Sequence, residues 1–361
     1  MRPGTPEEAA ALLRSLGAEG AVVRPLGGGT KPWGPQGEGV EVETGGLARI
    51  VEHNVGDFTA VLEAGVPLEA AQATFAAEGQ MLAIDPETRG DATLGGIMAT
   101  NDSGPLRHRY GGMRDLVVGA TVALSDGTLA KSGGKVIKNV AGYDLAKLFT
   151  GSYGTLGLIV RLAVRLHPRP PRQATARGGG EDPDVLGAAA VALAAQPLEA
   201  DCLDVAWRDG AGSLLVRFGA AAAADQAATA VGRMQQLGLE GCEVVEDDAA
   251  LWADQRARQR GECIVKVSGR ITDLPAVCRT GAGVVGRAGL GLFWLSVDPG
   301  EVVAVRDALA PRACVLLDAP ATLRDETWAA PEAGALAVMA RVKERFDPAR
   351  IFRPGTFVGG I

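Results

Sequence analysis

Cysteine pairs, histidine clusters, long apolar runs and basic charge are all missing from this chain, and each absence closes off a kind of chemistry. The five cysteines (Cys202, Cys242, Cys263, Cys278 and Cys314) never come closer than fifteen positions, so no C-x-x-C pair exists. That removes a cysteine-ligated zinc and a compact iron–sulfur motif, which need sulfur ligands at short spacing. The cysteines read instead as buried small apolar side chains. The three histidines, His53, His108 and His167, leave a Ser-His-Asp triad arithmetically open, but no G-x-S-x-G elbow is present to carry its serine. Structural or surface roles suit them better. No apolar run approaches the roughly 20 residues that span a bilayer. The formal charge is −7 and the pI about 5.2, so the basic footprint of a nucleic-acid-binding domain is absent. The opening "MRPGTPEEAAALLRSLG" sets Thr5 ahead of Pro6, Glu7 and Glu8, a helix N-cap with a capping box rather than a secretory leader. A cytoplasmic location is expected, with contact to the inner face of a membrane only through partners.

What is present begins with "RPLGGGTKPWG", Arg24 to Gly34. Three glycines ahead of Thr-Lys suit a phosphate, yet two familiar nucleotide loops fail on spacing. Counting G-x-G-x-x-G from Gly27 puts its third glycine at Pro32, and Gly34 and Pro35 prevent a helix from starting there. The pattern G-x-x-x-x-G-K-[ST] can use only Gly134-Lys135, but Val136 follows that pair and Leu129 stands where the first glycine belongs. Taken alone, the triplet reads as a surface loop.

With 47% apolar residues over 361 positions, the chain can bury two cores. Its first half alternates between helix and strand signals. A helix near 6–17 leads to a short strand in "AVVRPLG"; "VEVETGGLARIVEHN" is strand and turn; "FTAVLEAGVPLEAAQATFAAEGQML" is strand, turn and a helix of about eleven residues. The stretch from Ala83 to Val117 is dense in Gly, Asp, Asn and Thr and poor in helix periodicity. A loop that long is functional or disordered, and its spaced apolar residues Leu94, Ile97 and Met98 favour function. A hairpin turns at Ser125-Asp126-Gly127. A short helix, a glycine turn over 151–157 and a strand ending at Pro168 follow. Residues 167–184, "HPRPPRQATARGGGEDPD", have the composition of a linker. Beyond them come an Ala-rich helix (185–195), strands near 202–207 and 213–218, a helix near 221–237 and alternating signals to about 317, which suit a small α+β domain of one sheet with helices on one face. No repeat is evident.

Three glycine-rich segments stand in fixed order: Gly27-Gly28-Gly29-Thr30, then "DPETRGDATLGGIMATNDSG", then "KNVAGYDLAKLFTGSYGTLGLI". Glycine has no Cβ, so its N–H can reach a phosphate oxygen or a ring edge, and successive N–H groups make an anion nest. One ligand touched by three distant loops is the size of a dinucleotide. On these motifs the chain resembles the FAD-binding domain of the vanillyl-alcohol oxidase / p-cresol methylhydroxylase family. It carries R-P-x-G-G-G-[ST] at Arg24–Thr30. It carries D-P…T-[IL]-G-G-x-x-A-T-N at Asp85-Pro86, Thr93-Leu94-Gly95-Gly96 and Ala99-Thr100-Asn101. It carries G-Y-D-L…G-S-x-G-T-L-G at Gly142-Tyr143-Asp144-Leu145 and Gly151 to Gly157. The closing "FDPARIFRPG" (346–355) is also similar.

The resemblance implies an α+β fold: a two-subdomain p-cresol methylhydroxylase-type FAD-binding domain (1–168), a smaller ferredoxin-like α+β cap (169–331) and a C-terminal return (332–361). It implies that Pro25, Gly27, Gly28, Gly29 and Thr30 hold the FAD diphosphate. Pro86, Gly95, Gly96, Thr100 and Asn101 would line the cofactor, and Gly151, Tyr153, Gly154 and Ile159 would contact it. A side chain at Gly28 or Gly96 would then occupy the backbone's approach to the cofactor. Tyr153 replaces the family's usual Glu, and Arg353 its usual Asn; Arg353 is either a partner for a flavin or substrate oxygen or a surface residue. The family's covalent link uses a histidine beside the first loop, where this chain reads Thr30-Lys31-Pro32-Trp33, so non-covalent FAD is implied.

Within the family the chain looks most like the FAD-binding subunits of glycolate oxidase-type complexes. Oxidising a 2-hydroxy acid takes a hydride acceptor, a base for the hydroxyl proton and a cation for the carboxylate. Larger catalytic relatives carry H-x-G-D-G-N-x-H after the cap, and this sequence has no histidine beyond His167. Three roles follow: a flavin-relay subunit beside a larger FAD-containing catalytic subunit and an iron–sulfur subunit; a self-sufficient oxidoreductase with His108, Tyr110 or Tyr143 as base; or a non-catalytic scaffold.

Overall fold

The computed structural model describes residues 1–135 and 144–361; the motif residues Gly142 and Tyr143 lie outside them. Helix α1 (Pro6–Glu19) starts where Thr5 Oγ1 accepts the Glu8 N–H (3.1 Å) and stops at Gly20. Its buried Ala9, Leu13 and Leu16 pack on strand β1 (Val23–Leu26), which pairs in parallel with β2 (Val40–Glu43). The C-terminal return joins this layer: Val23 N–H donates to Ile351 O (2.7 Å), Arg353 N–H donates to Val23 O (3.1 Å), and Phe352 is fully buried.

The next layer contains β3 (Ile50–Asn54), β4 (Thr59–Glu63), helix α2 (Leu68–Ala77), and β5 (Gln80–Met81). The long turn-rich stretch folds into three short helices, α3 (Leu94–Thr100), α4 (Arg107–Tyr110) and α5 (Met113–Leu116). This corrects the expectation of a helix-poor loop. Leu94, Ile97 and Met98 sit at i, i+3 and i+4 and are fully buried; Gly95 and Gly96 dilute that signal in the sequence. The expected hairpin forms from β6 (Val117–Ala123) and β7 (Leu129–Gly133), and α6 (Ala146–Phe149) leads to β8 (Leu158–Arg165). The antiparallel sheet runs β3-β4-β8-β6-β7, and β9 (His167–Pro168) pairs with β5.

The expected linker is not one, because strand β10 (Gln173–Gly180) lies inside 167–184 and is paired on both sides. Its glycines mark close packing rather than slack: a Cβ on Gly178 would sit 2.8 Å from Cys242 Sγ. With α7 (Pro183–Ala194), β11 (Cys202–Arg208), β12 (Ala211–Gly219), α8 (Ala223–Gln236) and β13 (Glu240–Val245), it makes a β-α-β-β-α-β unit of strand order β13-β10-β12-β11. After α9 (Ala249–Ala257) the same unit recurs: β14 (Ile264–Ser268), α10 (Leu274–Cys278), β15 (Gly283–Arg287), β16 (Leu292–Ser296), α11 (Val302–Leu309) and β17 (Ala313–Leu316), ordered β15-β16-β14-β17. The two ferredoxin-like units join edge to edge through β11 and β15, giving one eight-stranded sheet. This repeat of topology is the second correction. Only the burial pattern must recur for it to form, so the residues need not match.

Helices α7, α8, α10 and α11 cover one face of that sheet with a continuous apolar core. Strand alternation turns Ile264, Lys266 and Trp294 to the other face, toward the glycine-rich half. Helix α12 (Ala333–Phe346) is pinned at its C-terminal end by Lys343, whose buried ammonium donates to Thr155 O (2.7 Å), Phe352 O (2.7 Å) and Asp347 Oδ2 (2.8 Å). Lys343→Met removes the only cation paired with the buried Asp347 carboxylate among the described residues, leaving it the Ile351 and Phe352 N–H donors. We expect a loss of about 3–5 kcal/mol, read by denaturant unfolding; a loss below ~1 kcal/mol contradicts this tie.

Candidate functional site

The three glycine-rich segments converge on one cleft. Pro25, Gly27, Gly28, Gly29 and Thr30 line it from the first, Gly95, Gly96 and Thr100 from the second, and Tyr153, Gly154 and Ile159 from the third. Three other implied residues do not line it. Pro86 is buried beside Asp85, whose carboxylate accepts the Leu106 N–H (2.9 Å). Asn101 caps α3 in the left-handed region (φ 49°), with its Oδ1 buried and unpartnered. Gly151 lies behind Asn101 and donates its N–H to Met98 O (2.9 Å).

Local geometry shows where an anion can be held. Among the described residues, none accepts a hydrogen bond from the N–H of Gly27, Gly28, Gly29, Thr30 or Lys31. Five successive N–H groups without a protein acceptor, on residues that line the cleft, can serve as an anion nest. The N-terminus of α3 is different. Its N–H groups are spent on Val66 O (Leu94), Ala64 O (Gly95), Thr93 Oγ1 (Gly96) and Thr93 O (Ile97). The nest therefore belongs to the first loop.

The requirement for glycine also has a different cause from the expected one. A Cβ on Gly28 would overlap the Asp91 carbonyl oxygen, and one on Gly27 would overlap Thr93 Oγ1. These glycines let the first loop lie flat on the second segment. Gly29, at φ 66°, aims its missing side chain into open space. At Gly96 a Cβ would crowd only its own cap, 3.2 Å from Thr93 Oγ1.

The far end of the loop is bolted to the eight-stranded sheet. Arg260 holds Asp318 through two bonds (Nε–Oδ2 2.7 Å, Nη2–Oδ1 2.9 Å) and donates from Nη2 to Thr30 O (3.0 Å). Trp33 Nε1–H donates to Asp318 Oδ1 (3.0 Å), and the guanidinium lies 5.4 Å from the Trp33 ring centre. Lys31 pairs with buried Asp102 (3.4 Å), and burial lowers its pKa.

Tyr153, left-handed at φ 54°, packs on Trp328 (4.9 Å) and Phe357 (5.5 Å), and burial raises its pKa. Arg353 is a lining residue rather than a surface one: it is half-buried, donates from Nη2 to Pro35 O (3.0 Å), and has its pKa lowered by burial. His108 and Tyr110 do not line the cleft. Tyr110 stacks edge-on against His167 (4.8 Å) and reaches toward Asp201 (3.5 Å), and burial raises its pKa to about 12.

Sequence reading missed the sheet's contribution. Lys266 lies 5.4 Å from the Trp294 ring centre, and among the described residues no carboxylate comes within ion-pair distance of it. Burial, with the nearby Arg107 and Arg287, lowers its pKa to about 8. Arg287 is fully buried, paired with Asp204 (3.3 Å) and stacked on Trp294 (4.6 Å). Arg107 donates to Ser103 Oγ (3.1 Å). These residues come from separate strands and loops at no common spacing; only the polar lysine inside the apolar run "CIVKV" signalled one of them.

Comparison with known proteins sets the class first. Solved structures of alkyldihydroxyacetonephosphate synthase share the fold, with a TM-score of 0.74 over 99% of this chain and 77% of that chain at 15% identity. In sequence, residues 1–133, a little over a third of the chain, match the family model described as "FAD binding domain". D-2-hydroxyglutarate dehydrogenase of Xanthomonas citri pv. viticola is 36% identical over 173 residues, 47% of this chain and 36% of that protein. Glycolate oxidase subunit GlcE of Escherichia coli is 38% identical over 122 residues, 34% of this chain and 35% of that protein. Glycolate oxidase subunit GlcD of Bacillus subtilis is 32% identical over 176 residues, 48% of this chain and 37% of that protein. The chain thus matches little more than a third of each of these relatives. The orphan N–H groups fit the diphosphate of FAD, and among the described residues no helix is long and apolar enough to cross a membrane.

Gly28→Val should abolish FAD binding by lifting the loop off Asp91, with the folded far-ultraviolet spectrum retained. Full FAD content in this variant would refute the site assignment.

Proposed function

We propose that the chain is the FAD-binding subunit of a glycolate oxidase- or dehydrogenase-type complex, which oxidises glycolate or a related 2-hydroxy acid to the 2-oxo acid. The observation that carries this is the row of five unpartnered N–H groups from Gly27 to Lys31 on a cleft shared by all three family motifs. The names of the relatives support the chemistry, and the glycolate oxidase subunits among them support membership of a complex. Bound non-covalently, FAD supplies the two-electron acceptor and can pass electrons on singly. The chain's own residues have simpler tasks. The loop N–H groups hold the diphosphate. Tyr153 gives the cleft an aromatic surface and is held there by packing on Trp328 and Phe357. Arg353 adds positive charge to the cleft. The partners in this reading are a larger FAD-containing catalytic subunit and an iron–sulfur subunit, with the assembly in the cytoplasm.

One observation favours a second reading, a self-sufficient oxidoreductase. Lys266 and Arg107 are cations without a carboxylate partner among the described residues; they lie near each other, outside the residues that line the cleft, and in this reading they would hold the substrate carboxylate. His108 and Tyr110 are out of place as bases, and Tyr143 lies outside the described residues.

Anaerobic glycolate added to the purified, FAD-loaded chain separates the two. Flavin absorbance bands that survive support the relay subunit; bands that bleach overturn it. If they bleach, Lys266 must be protonated to hold the carboxylate. Its proton is present below about 8 and lost above. The apparent KM should then rise roughly tenfold per pH unit above that point, and Lys266→Met should flatten the profile.

A further inference from the structure

We propose that a second cleft, behind the glycine loop, binds a small oxyanion, either a carboxylate or a phosphate group. The cleft has a volume of about 300 Å³ and shares only Thr30 and Pro32 with the cofactor cleft. Three arginines from three distant parts of the chain converge on it. Arg260 is buried, its side chain only 4% exposed, Arg324 is half-buried on the wall, and Arg89 is exposed at the rim.

The charge count leaves this cleft positive. Of its two lining carboxylates, Asp318 is taken by Arg260, Trp33 Nε1–H and the Gly261 N–H (3.1 Å). Glu262 is exposed, and among the described residues it makes no ion pair. Arg324 donates only to the Ala319 carbonyl (3.4 Å), and Arg89 has no carboxylate within 4 Å among the described residues.

A second observation points to a ligand. Arg260 Nη1 is buried and makes no hydrogen bond, although its Nε and Nη2 are fully used. A buried guanidinium N–H without an acceptor is costly, and an oxyanion drawn into the cleft that this side chain lines would satisfy it once the guanidinium turns toward it. Arg324 and Arg89 would then close on the same anion from the wall and rim, as planar donors suit carboxylate and phosphate. Because Arg260 Nη2 also holds Thr30 O, an anion here would stiffen the loop on the far side from the cofactor.

This inference does not depend on the reaction proposed above. The test is calorimetric titration of the full chain with inorganic phosphate, and separately with glycolate, at constant ionic strength, with and without saturating FAD. With FAD bound, one anion per chain should bind; without FAD the loop nest can take a second, and the site common to both states is the one proposed. Arg324→Glu and Arg89→Glu should each weaken it by roughly tenfold with FAD content unchanged. Tighter phosphate or tighter glycolate identifies which source the cleft prefers. Anion binding that disappears when FAD saturates the chain would overturn the proposal, since the anion would then occupy the cofactor's own diphosphate nest. So would two variants that bind as well as the parent chain, or no binding of either probe.

Discussion

The Arg260–Asp318 pair is the interaction on which the rest of the site depends. A loop with five unpartnered N–H groups has no internal reason to keep its shape. Its start is fixed by strand pairing of β1 with β2, and its middle by glycine-only contact with the second segment. Its end is fixed by Arg260 on Thr30 O and by Asp318 on Trp33. Both charges are almost fully buried, so each is tolerable only because the other is present. Residues flanking the eight-stranded sheet therefore help to hold one wall of the cleft.

That dependence explains why the sheet has two unlike faces. One is apolar and helix-covered, an ordinary core. The other brings Lys266, Arg287 and Trp294 toward the glycine-rich half. Duplicating a ferredoxin-like unit edge to edge makes the sheet wide enough for one half to carry these residues, while the other buries Asp248 with Arg217 (2.7 Å) and Thr175 (2.7 Å). Desolvation is the common cause of the shifted groups: it pushes Asp85 and Asp204 up to about 6 and Lys266 down to about 8.

The loops that line the cleft were legible in the sequence because backbone geometry there admits few residues. Gly28 must lie against a carbonyl and Gly29 must take φ 66°, so the glycines announce themselves at fixed spacing. Eleven of the fourteen implied residues line the cleft. Pro86, Asn101 and Gly151 lie one layer behind the lining residues. Helix α3 and strand β10 were missed for one reason: glycine in each serves close packing, and sequence reading takes glycine for a turn. The duplication was invisible because topology recurs there without residue identity. Arg260, Asp318 and Lys266 are single residues brought together only by the fold, and no spacing rule could have found them.

The most direct test of the account is a comparison of FAD with riboflavin as ligands for the cofactor-free chain, by fluorescence titration. If the loop nest carries recognition, FAD binds and riboflavin, which lacks the diphosphate, binds far more weakly. Equal affinity for the two, or no affinity for FAD, would contradict the claim that the N–H row from Gly27 to Lys31 is what holds the cofactor.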